Sequence, residues 1–247
     1  MFKEGDWILI IYKNEKKYLK RLTPKGSLNV GKEVLKFKEV VGREEGFQKG
    51  NFSVFKPTIE DIILYGFRRK TQIIYPKDTF FIAFKLDIKN GSKVFEFGTG
   101  SGCTTAVLSR LAGEKGEIYS FESDPKFYKN AVENLKEFGF TNNVKMYNKD
   151  FSDADLEEES FDAGFVDVKE PWLYIEKVYK ILKKGKCVGF LLPTTNQVSY
   201  LLREMKDFGN IEVLEIMLRY YKTNPERLRP EDTMVGHTGY LVFGRKL

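Results

Sequence analysis

Val94–Leu111 reads VFEFGTGSGCTTAVLSRL, and this stretch decides the fold. A mostly apolar run meets glycines at 98, 100 and 102, and a helical pattern begins at once. Glycine there lets a strand turn sharply and brings backbone close to a ligand, while the N-terminus of the next helix favours negative charge. The dinucleotide fingerprint is G-x-G-x-x-G. Here the third glycine comes one residue early, and Cys103 stands where that fingerprint has glycine. The spacing G-x-G-x-G, with Glu96 on the preceding strand, suits a nucleotide-like ligand that has no pyrophosphate to cradle.

Outward from this junction the chain alternates strand and helix. GEIYSFESD predicts a strand, and PKFYKNAVENLKEFGF a helix with Pro125 at its start and Gly139 at its end. NVKMYNKD and FDAGFVDV predict strands, WLYIEKVYKILKKG a helix, KCVGFLLP a strand, and NQVSYLLREMKDFG a helix. IEVLEIMLRYYK and TGYLVFGRKL supply two last strands. Such alternation implies an α/β protein with a doubly wound, mostly parallel sheet covered on both faces. Together with the glycine spacing it resembles the seven-stranded Rossmann-like sheet of class I S-adenosylmethionine-dependent methyltransferases. Residues 1–65 differ. Short β-rich runs punctuated by glycines 5, 26, 31, 42, 46 and 50 predict a small β-barrel-like or sandwich domain. KPTIEDIILYGF follows as a connector helix, with Thr58 as its cap and Asp61 three residues on. The catalytic domain is expected over 66–247.

Ligands in such sheets bind beyond the carboxyl ends of the strands. Three acids fall there: Glu96 before the glycines, Glu122 at the end of the second strand and Asp150 at the end of the third. A carboxylate at Glu122 can accept from both ribose hydroxyls of an adenosyl group, and one at Asp150 from its adenine amino group. The whole glycine loop, Gly98, Thr99, Gly100, Ser101, Gly102, Cys103 and Thr104, belongs to this expected cofactor site. Asp167 ends the fourth strand in FVDVKEPW, where a transferred methyl group lies.

Composition bounds the alternatives. The 247 residues are 42% hydrophobic and 31% charged, with two cysteines and one histidine, which leaves no disulfide framework or Cys/His zinc site. No run approaches the ~20 apolar residues of a membrane span, and the N-terminus lacks the order of a signal peptide. A cytoplasmic protein without metal or membrane is expected. The net charge is +6, and residues 1–77 carry 17 Lys and Arg against 9 Asp and Glu. That excess suits either a surface laced with ion pairs or one that attracts a polyanion such as RNA.

The motifs together resemble the tRNA (adenine-N1-)-methyltransferase TrmI family, which modifies adenine 58 of the T-loop. The match rests on YPKD (Tyr75–Asp78), EFGTGSG (Glu96–Gly102), FES around Glu122, DVKEPW (Asp167–Trp172), LLPTTNQV (Leu191–Val198) and GHTGYLV (Gly236–Val242). The resemblance implies methyl transfer from S-adenosylmethionine to adenine N1, with S-adenosylhomocysteine as the other product and adenine 57 as a second target. It implies that Asp167 is the catalytic carboxylate and also contacts the methyl donor. It places Tyr75, Lys77, Asp78, Arg229 and His237 at the RNA substrate, with Tyr75 stacking on a base extruded from the T-loop. It also implies a homotetramer. Relatives often carry Tyr where this chain has Leu191, so stacking is expected to rely more on Tyr75. Two other classes share parts of the pattern: a small-molecule or protein carboxyl methyltransferase, and an RNA-binding module without catalysis.

Overall fold

A computed structural model describes all residues, Met1 to Leu247. The chain divides into two compact units, Met1–Phe67 and Arg68–Leu247. The boundary falls two residues beyond the expected one. No helix is long and apolar enough to cross a membrane.

The first unit has six strands: β1 (Trp7–Tyr12), β2 (Lys16–Arg21), β3 (Ser27–Val30), β4 (Glu33–Lys36), β5 (Phe47–Lys49) and β6 (Phe52–Phe55). Four form an antiparallel sheet in the order β2-β1-β6-β5, and β3 pairs with β4 as a separate hairpin. The hydrogen-bonded ladder is therefore not one closed barrel. Phe2, Ile8, Ile10, Leu22, Leu35, Phe52 and Val54 bury one common core. The expected connector helix is one turn only, α1 (Ile59–Asp61), followed by a π turn over Ile62–Gly66. Its start is as read: Thr58 Oγ1 accepts from the Asp61 N–H at 3.2 Å, and Asp61 Oδ2 accepts from the Thr58 N–H at 3.0 Å.

The second unit opens with α2 (Pro76–Lys85) and continues β7 (Lys93–Phe97), α3 (Cys103–Ala112), β8 (Glu117–Phe121), α4 (Pro125–Glu137), β9 (Val144–Tyr147), β10 (Phe161–Val166) and α5 (Ile175–Ile181). Then come β11 (Leu182–Leu192), α6 (Thr195–Glu204), β12 (Phe208–Leu214), the two-residue pair β13 (Tyr221–Lys222) and β14 (Arg229–Pro230), and β15 (Tyr240–Lys246). Seven of these strands form one sheet in the order β12-β15-β11-β10-β7-β8-β9. All neighbours are parallel except the two pairs that involve β15. The α/β, doubly wound, mostly parallel seven-stranded methyltransferase sheet is thus present, with the small β sheet N-terminal to it.

Three local expectations change. The helix read from WLYIEKVYKILKKG begins as a 3-10 turn over Pro171–Tyr174 and stops at Ile181. Leu182 is already strand because it pairs with Phe161. The strand read from IEVLEIMLRYYK ends at Leu214, which pairs with Leu241 near the start of β15; beyond it the partner strand runs out. Asp150 is not the end of β9 but lies three residues past Tyr147, where it caps a 3-10 turn.

Phenylalanine fills the centre of this unit. Phe151 packs against Phe95, Phe97 and Phe121 at ring-centroid distances of 5.6, 5.2 and 5.3 Å. Each buried ring removes enough apolar surface from water to contribute about 2–3 kcal/mol. Gly164 on β10 makes room for one of them: a Cβ there would stand 1.9 Å from Phe95 Cζ.

Candidate active site

Strand register sets the site. Phe97 pairs with Phe121, and Val166 pairs with both Phe97 and Phe190. The residues that follow these strand ends, Gly98, Glu122 and Asp167, therefore emerge level at one edge of the sheet. Leu192 pairs with Tyr240 of the antiparallel β15, so Pro193 and the residues just before Tyr240 reach the same edge.

The glycine loop is a close-packed turn. Gly98, Gly100 and Gly102 have φ of +95°, +57° and +84°, a region where other residues are strained. Gly98 has a second reason: a Cβ would stand 2.1 Å from the Asp167 carbonyl oxygen. The N–H groups of Gly98 and Thr99 donate to the Phe121 carbonyl. Thr99 shares a 2.6 Å hydrogen bond with Ser120. Ser101 is occupied in holding the preceding segment, accepting from the N–H groups of Lys70 and Thr71. Cys103 and Thr104 open α3 and are buried. Burial pushes the Cys103 thiol up to about 12, which removes it as a nucleophile.

The acids divide by their partners. Glu96 is buried; its Oε2 accepts from Thr105 and Ser120, while Oε1 has no partner. Burial outweighs these bonds and raises its carboxyl to about 7. Glu122 accepts from the Gly100 N–H at 2.9 Å and from the Asp124 N–H at 3.0 Å, so it fastens the loop it flanks. Asp150 accepts from the Ser152 N–H and hydroxyl through Oδ1 and from the Tyr174 hydroxyl through Oδ2. Desolvation opposes these bonds, but together they hold its carboxyl below the usual range. Asp167 is the contrast: no protein group donates to its carboxylate. Desolvation first, and the Glu122 charge second, raise it to about 7.

Asp167 lines a cleft of about 420 Å³. One wall is Gln72–Tyr75 and Asp78 at the start of α2, and the other is Leu191, Pro193, Val235, His237 and Thr238. Tyr75 precedes Pro76, the first residue of α2. Lys77 and Asp78 do not face open solvent. The Lys77 ammonium donates to both Asp78 oxygens at 2.8 and 2.9 Å, to the Ile216 carbonyl at 2.7 Å and to Thr238 Oγ1 at 2.8 Å. Thr238 donates in turn to Asp78. This buried knot ties the two cleft walls together. His237 Nδ1 meets Glu215 Oε1 at 2.6 Å, and Nε2 meets the Pro193 carbonyl at 3.2 Å. Two acceptors need two donors, which only the imidazolium supplies. Glu215 and then Pro193 raise its pKa accordingly.

Of the residues expected at substrate, Tyr75, Asp78 and His237 line this cleft, and Lys77 braces it from behind. Arg229 is not brought there; it lies exposed on β14 and pairs with Asp232 at 2.6 Å. The sequence reading missed Thr105 and Ser120, which hold Glu96, and Thr238, which completes the knot. Small polar residues within apolar runs were the only signal for the first two.

A fit for the adenosyl methyl donor rests on two observations. The positive-φ glycines let the loop pack against Asp167, Thr71 and Leu135, where a Cβ would crowd them, and Glu96 Oε1 is a buried acceptor without a donor. A cationic ammonium would satisfy it. No three His, Cys, Asp or Glu side chains stand close enough to hold a metal ion.

Residues 50–230 match the family described as tRNA methyltransferase complex GCD14 subunit. The tRNA (adenine(58)-N(1))-methyltransferase TrmI of Thermus thermophilus is 35% identical over 196 residues, 78% of this chain and 76% of that protein. The crystal structure of tRNA (m1A58) methyltransferase TrmI from Aquifex aeolicus superposes with a TM-score of 0.93 at 57% identity, covering 100% of this chain and 98% of that one. A structure titled SAM-dependent O-methyltransferase, from Thermotoga maritima, gives 0.92 at 36% identity, covering 100% and 94%.

Proposed function

The chain belongs to the tRNA (adenine-N1-)-methyltransferase family of GCD14 and TrmI, and on that premise we propose that it methylates N1 of adenine 58 in the tRNA T-loop with Asp167 as the catalytic carboxylate. One observation carries the assignment. Asp167 is the only one of the four acids at the strand ends whose carboxylate no protein group engages, and it opens into a cleft beside the glycine loop.

S-adenosylmethionine, when bound, supplies a methyl group already activated by its sulfonium. Glu96 and the glycine loop hold the methyl donor, and Glu122 and Asp150, each already oriented by protein donors, face its ribose and adenine with the acceptor capacity those donors leave. The chain's further work is on the acceptor. Asp167 accepts a hydrogen bond from the exocyclic amino group of the target adenine, which turns the N1 lone pair toward the methyl group. As the N1–C bond forms, positive charge spreads over the ring, and the same carboxylate stabilises it. Asp167 can then take an amino proton, leaving a neutral imino product. Tyr75, at the cleft wall, is the base-stacking ring. Leu191 lines the same cleft and offers an apolar surface but no ring.

The assembly belonging to this reading is a homotetramer. Its support is the segment between β12 and β15, which exposes Met217, Leu218, Tyr220, Tyr221, Leu228 and Val235. Exposed apolar side chains gathered in one segment suit a contact surface. The family resemblance supplies the count of four.

The test is direct. The protein is incubated with unmodified tRNA and a labelled methyl donor, and the modified nucleoside is mapped. Label on adenine N1 at position 58, alone or with 57, is expected. Label on another base, or on an oxygen, overturns the reading.

A further inference from the structure

The two explanations of the basic N-terminal third make different demands on the structure. An ion-pair-laced surface needs its cations paired. The first unit, residues 1–67, holds thirteen Lys and Arg, and only Lys17 and Lys49 reach a carboxylate. The Lys17 contact is long, at 3.8 Å. The charge is therefore displayed rather than neutralised, which is the property of a surface that releases counterions to a polyanion.

It is also shaped. A concavity of about 430 Å³ in this unit is lined by Lys38, Arg43, Lys49, Glu39 and Phe47 among others. Glu39 is its single acid and is already spent: it accepts from the Lys49 ammonium at 2.6 Å and from the Lys36 N–H. Lys38 and Arg43 have no carboxylate partner. The Arg43 guanidinium lies 5.5 Å from the Phe47 ring centroid, a cation–π contact that steadies it, and the residue is exposed. The loop beneath is fixed. The Phe2 N–H donates to the Arg43 carbonyl at 2.7 Å, the Gly42 N–H donates to the Phe2 carbonyl at 2.8 Å, and Phe2 itself is buried. Glu44 and Glu45 follow Arg43 in sequence but do not line the concavity.

We propose that this concavity is a docking site for the phosphate backbone of the RNA substrate, with Lys38 and Arg43 as its phosphate ligands. It rests on the reading of tRNA as substrate and adds which surface of the first unit holds the RNA. Arg43 presents a planar fork suited to a phosphate, and Lys38 a point charge beside it.

The experiment uses the full chain. Lys38→Glu/Arg43→Glu is compared with Lys13→Glu/Lys20→Glu, which makes the same charge change in the turn after β1 and on β2, outside the concavity. Binding of unmodified tRNA is measured across a salt series, with S-adenosylmethionine binding and thermal midpoint as checks of folding. The proposal expects the first variant to bind tRNA about tenfold more weakly, with the salt slope reduced by about 2, about one per lost phosphate contact. It expects the KM for tRNA to rise and kcat to hold, with the second variant near wild type. Unchanged affinity and slope in the first variant overturn it. Equal loss in both variants also does, since the effect is then diffuse. Dissociation of the assembly without loss of RNA binding overturns it too, by showing a protein interface. If the wild-type protein methylates no adenine, the function proposed above fails, while the salt slopes still decide this surface.

Discussion

At the scale of single residues, the proposed function rests on a carboxylate that the protein leaves unpartnered, Asp167. Asp167 must be ionised to accept from the adenine amino group, and burial raises it to about 7. We expect kcat/KM to rise about tenfold per pH unit below about 7 and to level off above it. A pH–rate profile for wild type checks this. Asp167→Ala should bind S-adenosylmethionine normally yet lose between about a hundredfold and a thousandfold in methyl transfer. The same raised pKa has a cost in stability. A group whose folded pKa lies above its unfolded value contributes stability that is present below the unfolded pKa and lost as pH rises through the folded one. For Asp167 that window runs from the ordinary 3.8 to about 7. Asp167→Asn should therefore melt at a higher temperature than wild type at pH 8, and the two should converge near pH 4. Identical melting curves at both pH values would remove the claim that burial sets this pKa.

At the scale of elements, the site depends on how closely strand ends and helix starts approach. Gly98 and Asp167 belong to neighbouring strands, and their backbones leave no room for a Cβ. Gly98→Ala adds both that clash and a strained φ, so it should weaken S-adenosylmethionine binding more than tenfold by calorimetry. The Lys77–Asp78–Thr238 knot makes a separate demand, because it ties the start of α2 to the segment before β15. Lys77→Met leaves the buried Asp78 carboxylate without its cation and with only the Thr238 hydroxyl as a side-chain donor, which costs about 3 kcal/mol in denaturant unfolding. Adding Asp78→Asn should recover part of that loss. If Lys77→Met alone is neutral, the pair is not the brace described. These contacts explain the uneven legibility of the site. The glycines and acids were readable because each sits at or within a few residues of a strand end predicted by local pattern. The knot was not, since its members are separated by 139 to 161 residues and meet only after the sheet forms.

At the scale of the whole molecule, charge and apolar exposure are segregated. Displayed cations concentrate in residues 1–67, whereas exposed apolar side chains cluster between β12 and β15. The latter segment also carries Val235, His237 and Thr238 of the cleft wall. Contact between copies there should hold that wall in place. Leu228→Lys/Tyr220→Lys should shift the assembly to smaller species by light scattering and raise the KM for tRNA. An unchanged mass would assign this surface to something other than self-association.

The sequence by itself determined the fold and the reaction class. The early glycine, the acids at strand ends and the strand–helix alternation are local patterns, and backbone sterics and side-chain periodicity make local patterns readable. It also placed Asp167 where the fourth strand ends. The tertiary structure alone decided which of those acids is free to act. Glu122, Asp150 and one oxygen of Glu96 spend their lone pairs on protein donors, and Asp167 does not. It decided as well that Lys77 braces the cleft, that Arg229 lies apart from it, and that the N-terminal cations stand unpaired. Each of these depends on distances between residues far apart in the chain. Desolvation and hydrogen-bond competition act across such distances, and no spacing along the sequence records them.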